Sequence, residues 1–460
     1  MMAAAVGDHA DVVVVGAGSI GLAVAYYLVV RHGVTRVVLL DQGDPMALTS
    51  AQSGENYRNW WPHPVMTAFT DDSTTLMEEI ARATGNRIRM TRRGYALATR
   101  RAEPADLIDD LHRGYGAAAP ERIRLHLGAA APAYRAATTA DWETTPDGVD
   151  VILDRRLVRE HFPTYAPDIA TVLHIRRAGD VSGQQLGQFM LERIREAGGR
   201  LWRARLDSIE AGSPFRLDLR TADGPRVLRA DRLVNAAGPF CAAAARLLGE
   251  TVPIECVFQQ KIAFEDREAV IPRDMPFSID LDGQRIEWSA EDREILASEP
   301  ETARLLEPMP GGIHCRPDGG ERGTGIKLGW AYNRTPTPPN AEPPIDPQFP
   351  DTVLRGASRL HPGLRAYLGR LPRNARHYGG YYAMTPENWP LIGPMRTPNA
   401  FIAGALSGFG TMAACATGHL CAAWVAGGER PAYALPLSLA RYDDGPLIAA
   451  LAAQNSKGVL

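Results

Sequence analysis

Asp11-Val-Val-Val-Val-Gly16-Ala-Gly18-Ser-Ile-Gly21-Leu-Ala-Val-Ala-Tyr-Tyr-Leu28, followed by Val37-Val-Leu-Leu40-Asp41, decides the reading of this chain. Four consecutive valines bounded by turn residues read as a strand buried on both faces, as in a parallel sheet. Gly16, Gly18 and Gly21 form G-x-G-x-x-G with Ser19 and Ile20 inside it, and residues 22–30 read as the helix behind. The glycines allow a tight turn, close backbone approach to a pyrophosphate, and helix-to-strand packing. The helix N-terminus offers free N–H groups and a positive dipole end to phosphates. Asp41 ends the second strand, where a carboxylate takes ribose hydroxyls. Strand, glycines, helix, second strand and terminal acid in this order predict dinucleotide binding. An ordinary glycine-rich turn without a ligand would have to treat the placement of Asp41 as chance.

Two later segments repeat the style. Arg232-Leu-Val-Asn235-Ala-Ala-Gly238-Pro239 reads as a core strand ending in a tight turn of small residues that leave room for a ligand. It is preceded by a helix over 188–196, a strand over 200–206 and a hairpin around 222–225, and followed by a helix over 240–248. Near the C-terminus, a strand over 400–403 leads into Gly404-Ala-Leu-Ser-Gly408-Phe409-Gly410-Thr411-Met412 and a long alanine-rich helix to 426. Between 253 and 373 the pattern changes to short strands, with an acidic helical stretch over 290–306. Residues 335–350 hold seven prolines and predict an extended loop.

A chain of 460 residues predicts two domains or one large fold with an inserted region. The net charge of −3 and pI near 6.4 argue against nucleic-acid or anionic-membrane partners. Cys241, Cys256, Cys315, Cys415 and Cys421 show no C-x-x-C pair and no metal spacing, which predicts small buried packers in a reduced, cytoplasmic compartment. Residues 1–10 lack a cationic stretch and carry Asp8, unlike a signal peptide. Residues 12–30 and 401–425 are apolar, but their glycines favour a buried core over membrane spans.

Taken in order, the three glycine-rich segments resemble the FAD-dependent D-amino-acid oxidase (DAO) superfamily, in particular its glycine oxidase and monomeric sarcosine oxidase branch. The resemblance implies an α/β FAD-binding Rossmann-like domain (GR2-type) with a β-rich antiparallel substrate domain. The corresponding divisions are 1–85, 166–250 and 372–460 for FAD, and 86–165 and 251–371 for the roof over the flavin, with an insertion at about 280–310 expected to shape a lid or a subunit contact. FAD contacts are implied at Gly16, Gly18, Ser19, Ile20, Gly21, Asp41, Gln42, Ser50, Ser53, Gly54, Leu206, Ala236, Gly238, Gly408, Phe409, Gly410, Thr411 and Met412. The C-terminal glycine turn would aim its helix at the flavin pyrimidine.

Gly325-Ile-Lys327-Leu-Gly329-Trp330 resembles the strand whose lysine activates oxygen in the sarcosine enzymes, and a fixed cation beside the flavin stabilises the anion formed from O₂. The competing reading is a surface lysine, with Ile326 and Leu328 facing the core. The family's tethering cysteine has no counterpart in Tyr378-Gly-Gly-Tyr-Tyr-Ala-Met384, so FAD is expected to be non-covalent. The family's carboxylate-binding lysine and arginine fall at Met412 and Trp60. In their place, Glu55-Asn-Tyr-Arg58-Asn-Trp60-Trp61-Pro-His63 offers two alternatives: an aromatic cage with Glu55 for a cationic amine, or Arg58 taking a carboxylate. A third reading has the tryptophans in the core and Arg58 paired with an acid or the pyrophosphate. Of Tyr381 and Tyr382, strand alternation lets at most one face a substrate.

The resemblance implies oxidation of a C–N bond of an amine or (N-alkyl) amino acid to an imine, with hydride transfer to flavin N5 and reoxidation by O₂. Its alternatives are a dehydrogenase with a quinone or protein acceptor, oxidation of a hydroxy acid, tailoring of a natural-product amine, and a non-catalytic FAD-bound subunit. The implied partners are a small amine and O₂, with a homo-oligomer left open.

Overall fold

The computed structural model describes residues 9–128, 133–138, 142–320, 322–339 and 342–453. Residues 1–8, read above for a targeting signal, and residues 340 and 341 of the proline-rich loop lie outside the described residues.

The valine-rich segment forms the strand His9–Val15 at the middle of an eight-stranded sheet. Its side chains alternate between two cores, as a strand covered on both faces requires. Val12 and Val14 join the cluster containing Leu22, Leu28 and Ala416, whereas Val13 and Val15 join the one containing Phe215, Leu217 and Cys241. His9–Val15 pairs in parallel with Val37–Asp41 on one side and Gly224–Asn235 on the other, and Gly224–Asn235 pairs in parallel with Ala400–Gly404. The carboxyl ends of the three glycine-rich segments therefore meet at one edge of the sheet.

The helices Ser19–His32 and Gly410–Ala426 pack against each other through small residues. A Cβ on Gly418 would lie 2.4 Å from the Ala23 carbonyl carbon. The segment read as one strand over 200–206 is two: Arg200–Arg203 pairs with Val37–Asp41, and Arg205–Glu210 turns into a hairpin partner for Phe215–Thr221. Ala204 makes the corner, its N–H donating to the Asp41 carbonyl at 2.8 Å.

A second sheet of nine strands covers the cleft. It is mixed rather than wholly antiparallel: Phe277–Asp280 runs parallel to Tyr95–Thr99, and Ile123–His126 parallel to Val149–Ile152. Strands from separated parts of the chain meet there, so orientation follows the crossovers instead of hairpin turns. The sheet also takes in Thr171–Ile175 and Arg376–Met384, which lie outside the 86–165 and 251–371 divisions expected for it.

Register decides which side chains face the cleft. Lys261 opposes Gly329, Lys327 opposes both Ala263 and Arg316, and His314 opposes Gly329. Directly opposed residues share a face, so Lys261, His314, Arg316 and Lys327 all lie on one side. Ile262, Cys315, Ile326 and Leu328 fill a core on the other side with Trp330 and Val353. Ile286, Trp288, Leu296 and Leu305 of the 280–310 insertion join that outer core. The insertion thus buttresses the back of the roof, on the side away from the cleft. Its helical stretch ends at Ser298, where Pro300 starts a separate short turn.

Two outcomes follow from this packing. Gly418→Ala is expected to lower stability by about 1–3 kcal/mol through overpacking, measured as a lower thermal midpoint. His361, fully buried, is pushed down to about 3 by desolvation. It stays neutral in the fold but takes up a proton when unfolded, so its contribution is complete above pH ~6.5 and lost as pH falls towards 3. At pH 5 the loss is about 2 kcal/mol, and His361→Gln is expected to flatten the fall in thermal midpoint between pH 7.5 and pH 5. An unchanged slope would contradict this.

Candidate functional site

The cleft begins where the strands end. Gly16 has φ +106°, and a Cβ there would lie 2.3 Å from the Ala236 carbonyl oxygen, so only glycine lets these two turns meet. Gly18 opens the helix Ser19–His32 without a side-chain cap, leaving its N-terminus to the cleft. Ser50 Oγ accepts from the Ser19 N–H at 3.0 Å. The Asp41 carboxylate accepts from the N–H groups of Ala17 and Gly43 at 2.7 and 2.8 Å, which fixes it beside the turn. Asn235 anchors the second turn, its amide donating to the Cys241 carbonyl at 2.8 Å.

Recesses sharing walls run along this edge. One is lined by Asp41, Gln42, Leu206 and Ala244. The next is lined by Gly16, Gly18, Ser19, Ile20, Ser50, Ala236, Gly238 and Gly410. A third, bounded by Ser50, Ser53, Gly54, Gly408, Gly410 and Thr411, leads under the roof. Gly21 packs inside the first turn against Gly16 and lines none of these. A long, bent nucleotide fits such a series: an anion-binding helix N-terminus in the middle, an acid at the ribose position, and a floor of small residues.

The C-terminal turn closes the far end. Ala405 and Ser407 adopt φ +58° and +46°, and the Ser407 N–H donates to the Ala383 carbonyl at 2.8 Å. A Cβ on Gly408 would lie 2.5 Å from the Tyr382 ring, so the roof rests directly on this turn. The helix Gly410–Ala426 starts there without a side-chain cap, and Ser53 Oγ and Thr411 Oγ1 are 2.8 Å apart. Its positive end faces the same space.

A front cavity lies between this turn and the roof. Glu55, Trp61, Tyr382, Phe409 and Met412 line it, together with Tyr95, Lys261, Phe277, His314 and Asn388, which sequence reasoning missed. Tyr381 occupies the opposite strand face. Its ring meets Phe258 edge to face, centroids 5.1 Å apart, and lines the nucleotide recess instead. Arg58 is 2% exposed behind the cavity wall, its guanidinium 4.6 Å from the Trp61 ring and 5.7 Å from Tyr95. Desolvation lowers its pKa to about 10, which still leaves it charged at neutral pH. It is the cation of an aromatic stack and does not reach the cavity as a carboxylate clamp. Trp60 packs on Gly114 and Tyr115 in the core, so only Trp61 of the pair serves as a cavity wall.

Glu55 Oε1 accepts from the Gly183 N–H at 3.0 Å, while Oε2 lies 3.3 Å from Lys327 Nζ and 3.8 Å from Arg316. Lys327 also pairs with Asp318 at 3.2 Å and lines a side recess with Ser53 and Tyr378. Both of its carboxylate partners are thus themselves part of one compensated cluster. His314 is pushed down to about 4 by burial and is neutral at pH 7. Its Nδ1 is 3.1 Å from the Gly312 carbonyl, so Nδ1–H donates there and Nε2 remains an acceptor.

One sequence signal could have found Lys261. Of the 50 lysines and arginines only three are lysine (Lys261, Lys327 and Lys457), and two of those face this cleft. Among the described residues no cluster of His, Cys, Asp or Glu could hold a metal, and no helix is long and apolar enough to cross a membrane. All five cysteines are buried and free. Asp41→Ala is expected to cut retention of the nucleotide cofactor by about tenfold or more, read as flavin content after gel filtration; full occupancy would contradict the role given to Asp41.

Comparison with known proteins places the chain in a family. The family model of the DAO FAD-dependent oxidoreductases matches residues 11–424. Human mitochondrial dimethylglycine dehydrogenase is 20% identical over 445 residues, covering 95% of this chain but 44% of that protein, so the chain spans less than half the length of this relative. L-proline dehydrogenase from P. horikoshii superposes with a TM-score of 0.72 at 16% identity, covering 95% of this chain and 99% of the other. Glycine oxidase from Geobacillus kaustophilus gives 0.68 at 19% identity, covering 94% and 98%. The chain belongs to the DAO family of FAD-dependent oxidoreductases.

Proposed function

We propose that this enzyme oxidises a C–N bond of an amine or (N-alkyl) amino acid to an imine, which water then hydrolyses. The observation that carries the reading is the front cavity: an aromatic enclosure set directly over the turn that starts the helix Gly410–Ala426. The likeness to a dimethylglycine dehydrogenase, an L-proline dehydrogenase and a glycine oxidase supports an amine substrate. The nucleotide half, with its glycine turn, Asp41 and second glycine-rich strand end, supports a GR2-type FAD domain below a substrate domain.

Gly16, Gly18, Ser19, Asp41, Ser50 and the 236–238 turn would hold the nucleotide, and Ser53, Gly54 and residues 408–411 its ring. Bound there, FAD supplies the hydride acceptor and the route by which electrons leave. The chain's own share is positioning and exclusion of water. Trp61, Tyr95, Phe277 and Phe409 form apolar walls that favour a neutral amine over a hydrated one. His314 Nε2 and the Tyr382 hydroxyl supply hydrogen-bonding groups to orient it. Glu55 is held by Lys327 and the Gly183 N–H, so it sets the local field and is not a general base.

Lys327 is the candidate cation for O₂, because a fixed positive charge stabilises the anion formed when oxygen takes an electron. Its pairing with Glu55 and Asp318 favours a second reading, a dehydrogenase with a quinone or protein acceptor, because those carboxylates offset the charge. The test is rapid mixing of the FAD-loaded enzyme with amines and amino acids without oxygen, followed by air. The expected result is bleaching of the visible flavin band by an amine and recovery in air. Lys327→Met is expected to slow recovery by about tenfold or more while sparing bleaching. Recovery only with a quinone would establish the dehydrogenase reading. Failure of every amine to bleach the band would overturn the proposed function.

A further inference from the structure

Lys261 is the least compensated charge in the cleft. It is 6% exposed, lines the front cavity, and its Nζ donates to the Tyr382 hydroxyl at 3.4 Å. No carboxylate of the described residues stands within ion-pair distance of it, whereas Lys327 has two and Arg316 has three. Burying an ammonium against one neutral hydroxyl is costly, and such a charge is retained where an anion completes its shell. The cavity itself supplies none: Glu55, the one acid in its wall, is engaged by Lys327 and Arg316. The uncapped N-terminus of the helix Gly410–Ala426 adds positive potential from below. A chain that uses arginine for nearly every other cation places lysine here, a compact charge with rotatable donors suited to a mobile small ligand.

Resting on the amine-oxidising reading above, we infer that Lys261 anchors a carboxylate of the substrate against the Tyr382 side of the front cavity. The substrate is then an amine that carries a carboxylate, held by a lysine of the roof sheet and not by the arginine of the first loop. Arg58, the sequence candidate for that task, lies behind the aromatic wall. Lys261 acts as a specificity-determining residue, selecting the charged substrate over its uncharged analogue.

The test uses the FAD-loaded enzyme and two pairs of unreactive probes, benzoate with benzamide and acetate with acetamide, titrated by calorimetry and by the visible flavin spectrum. The wild type is expected to bind each carboxylate about 10- to 100-fold more tightly than its amide. Lys261→Met should abolish that preference with amide affinity unchanged, and Lys261→Arg should keep part of it. Equal affinity of the wild type for acid and amide would overturn the inference. So would a Lys261→Met enzyme that keeps the preference, including one whose free flavin spectrum alone changes. If the methionine variant does not hold FAD, the wild-type pairs and Lys261→Arg still decide. Bleaching by neutral amines with no carboxylate preference would remove this inference and leave amine oxidation standing.

Discussion

Contact between two turns organises the molecule. The turn after His9–Val15 meets the turn after Gly224–Asn235 so closely that any side chain at Gly16 would penetrate the Ala236 carbonyl. That approach is available only because the two strands run parallel and end level, with Val15 opposite Asn235. Ala400–Gly404 joins the same edge from the other side of Gly224–Asn235. The contact leaves a crevice at the carboxyl ends of the strands, where backbone N–H groups and two uncapped helix N-termini face a ligand. The roof then sits on the third of these turns, through Tyr382 against Gly408.

Charge is distributed over the roof in two ways. On one side Glu55, Asp318, Arg316 and Lys327 compensate one another at distances of 3.1 to 3.8 Å. On the other, Lys261 stands among aromatic rings beside a neutral histidine. Both arrangements lie on a single face of one sheet, separated by one strand pairing. The first is a rigid cluster that fixes the loop carrying Glu55, partly through Arg316 donating to the Gly54 carbonyl at 2.8 Å. The second opens into the front cavity.

The nucleotide half was legible in the sequence because its signals are local. Valine runs, glycine spacing and the acid at Asp41 each describe a few adjacent residues, and parallel strands with crossover helices leave few ways to assemble them. The roof was legible only as a class. Its strands are short and drawn from distant segments, and their function depends on register: whether Lys261 faces the cleft is fixed by its pairing with Gly329 and Tyr378. Alternation showed that Tyr381 and Tyr382 part company without showing which enters the cavity. The charged and aromatic cluster at 55–63 left three readings open in the sequence. That Arg58 itself is the cation of the stack depends on Tyr95, a neighbour far away in sequence.

The most direct measurement of the central claim is a crystal structure of the FAD-loaded protein. The adenine and ribose are expected beside Asp41 and Leu206, and the flavin ring between residues 408–411 and the roof face that carries Lys261 and Tyr382. A ring turned away from the roof, with the front cavity cut off from it, would contradict the account.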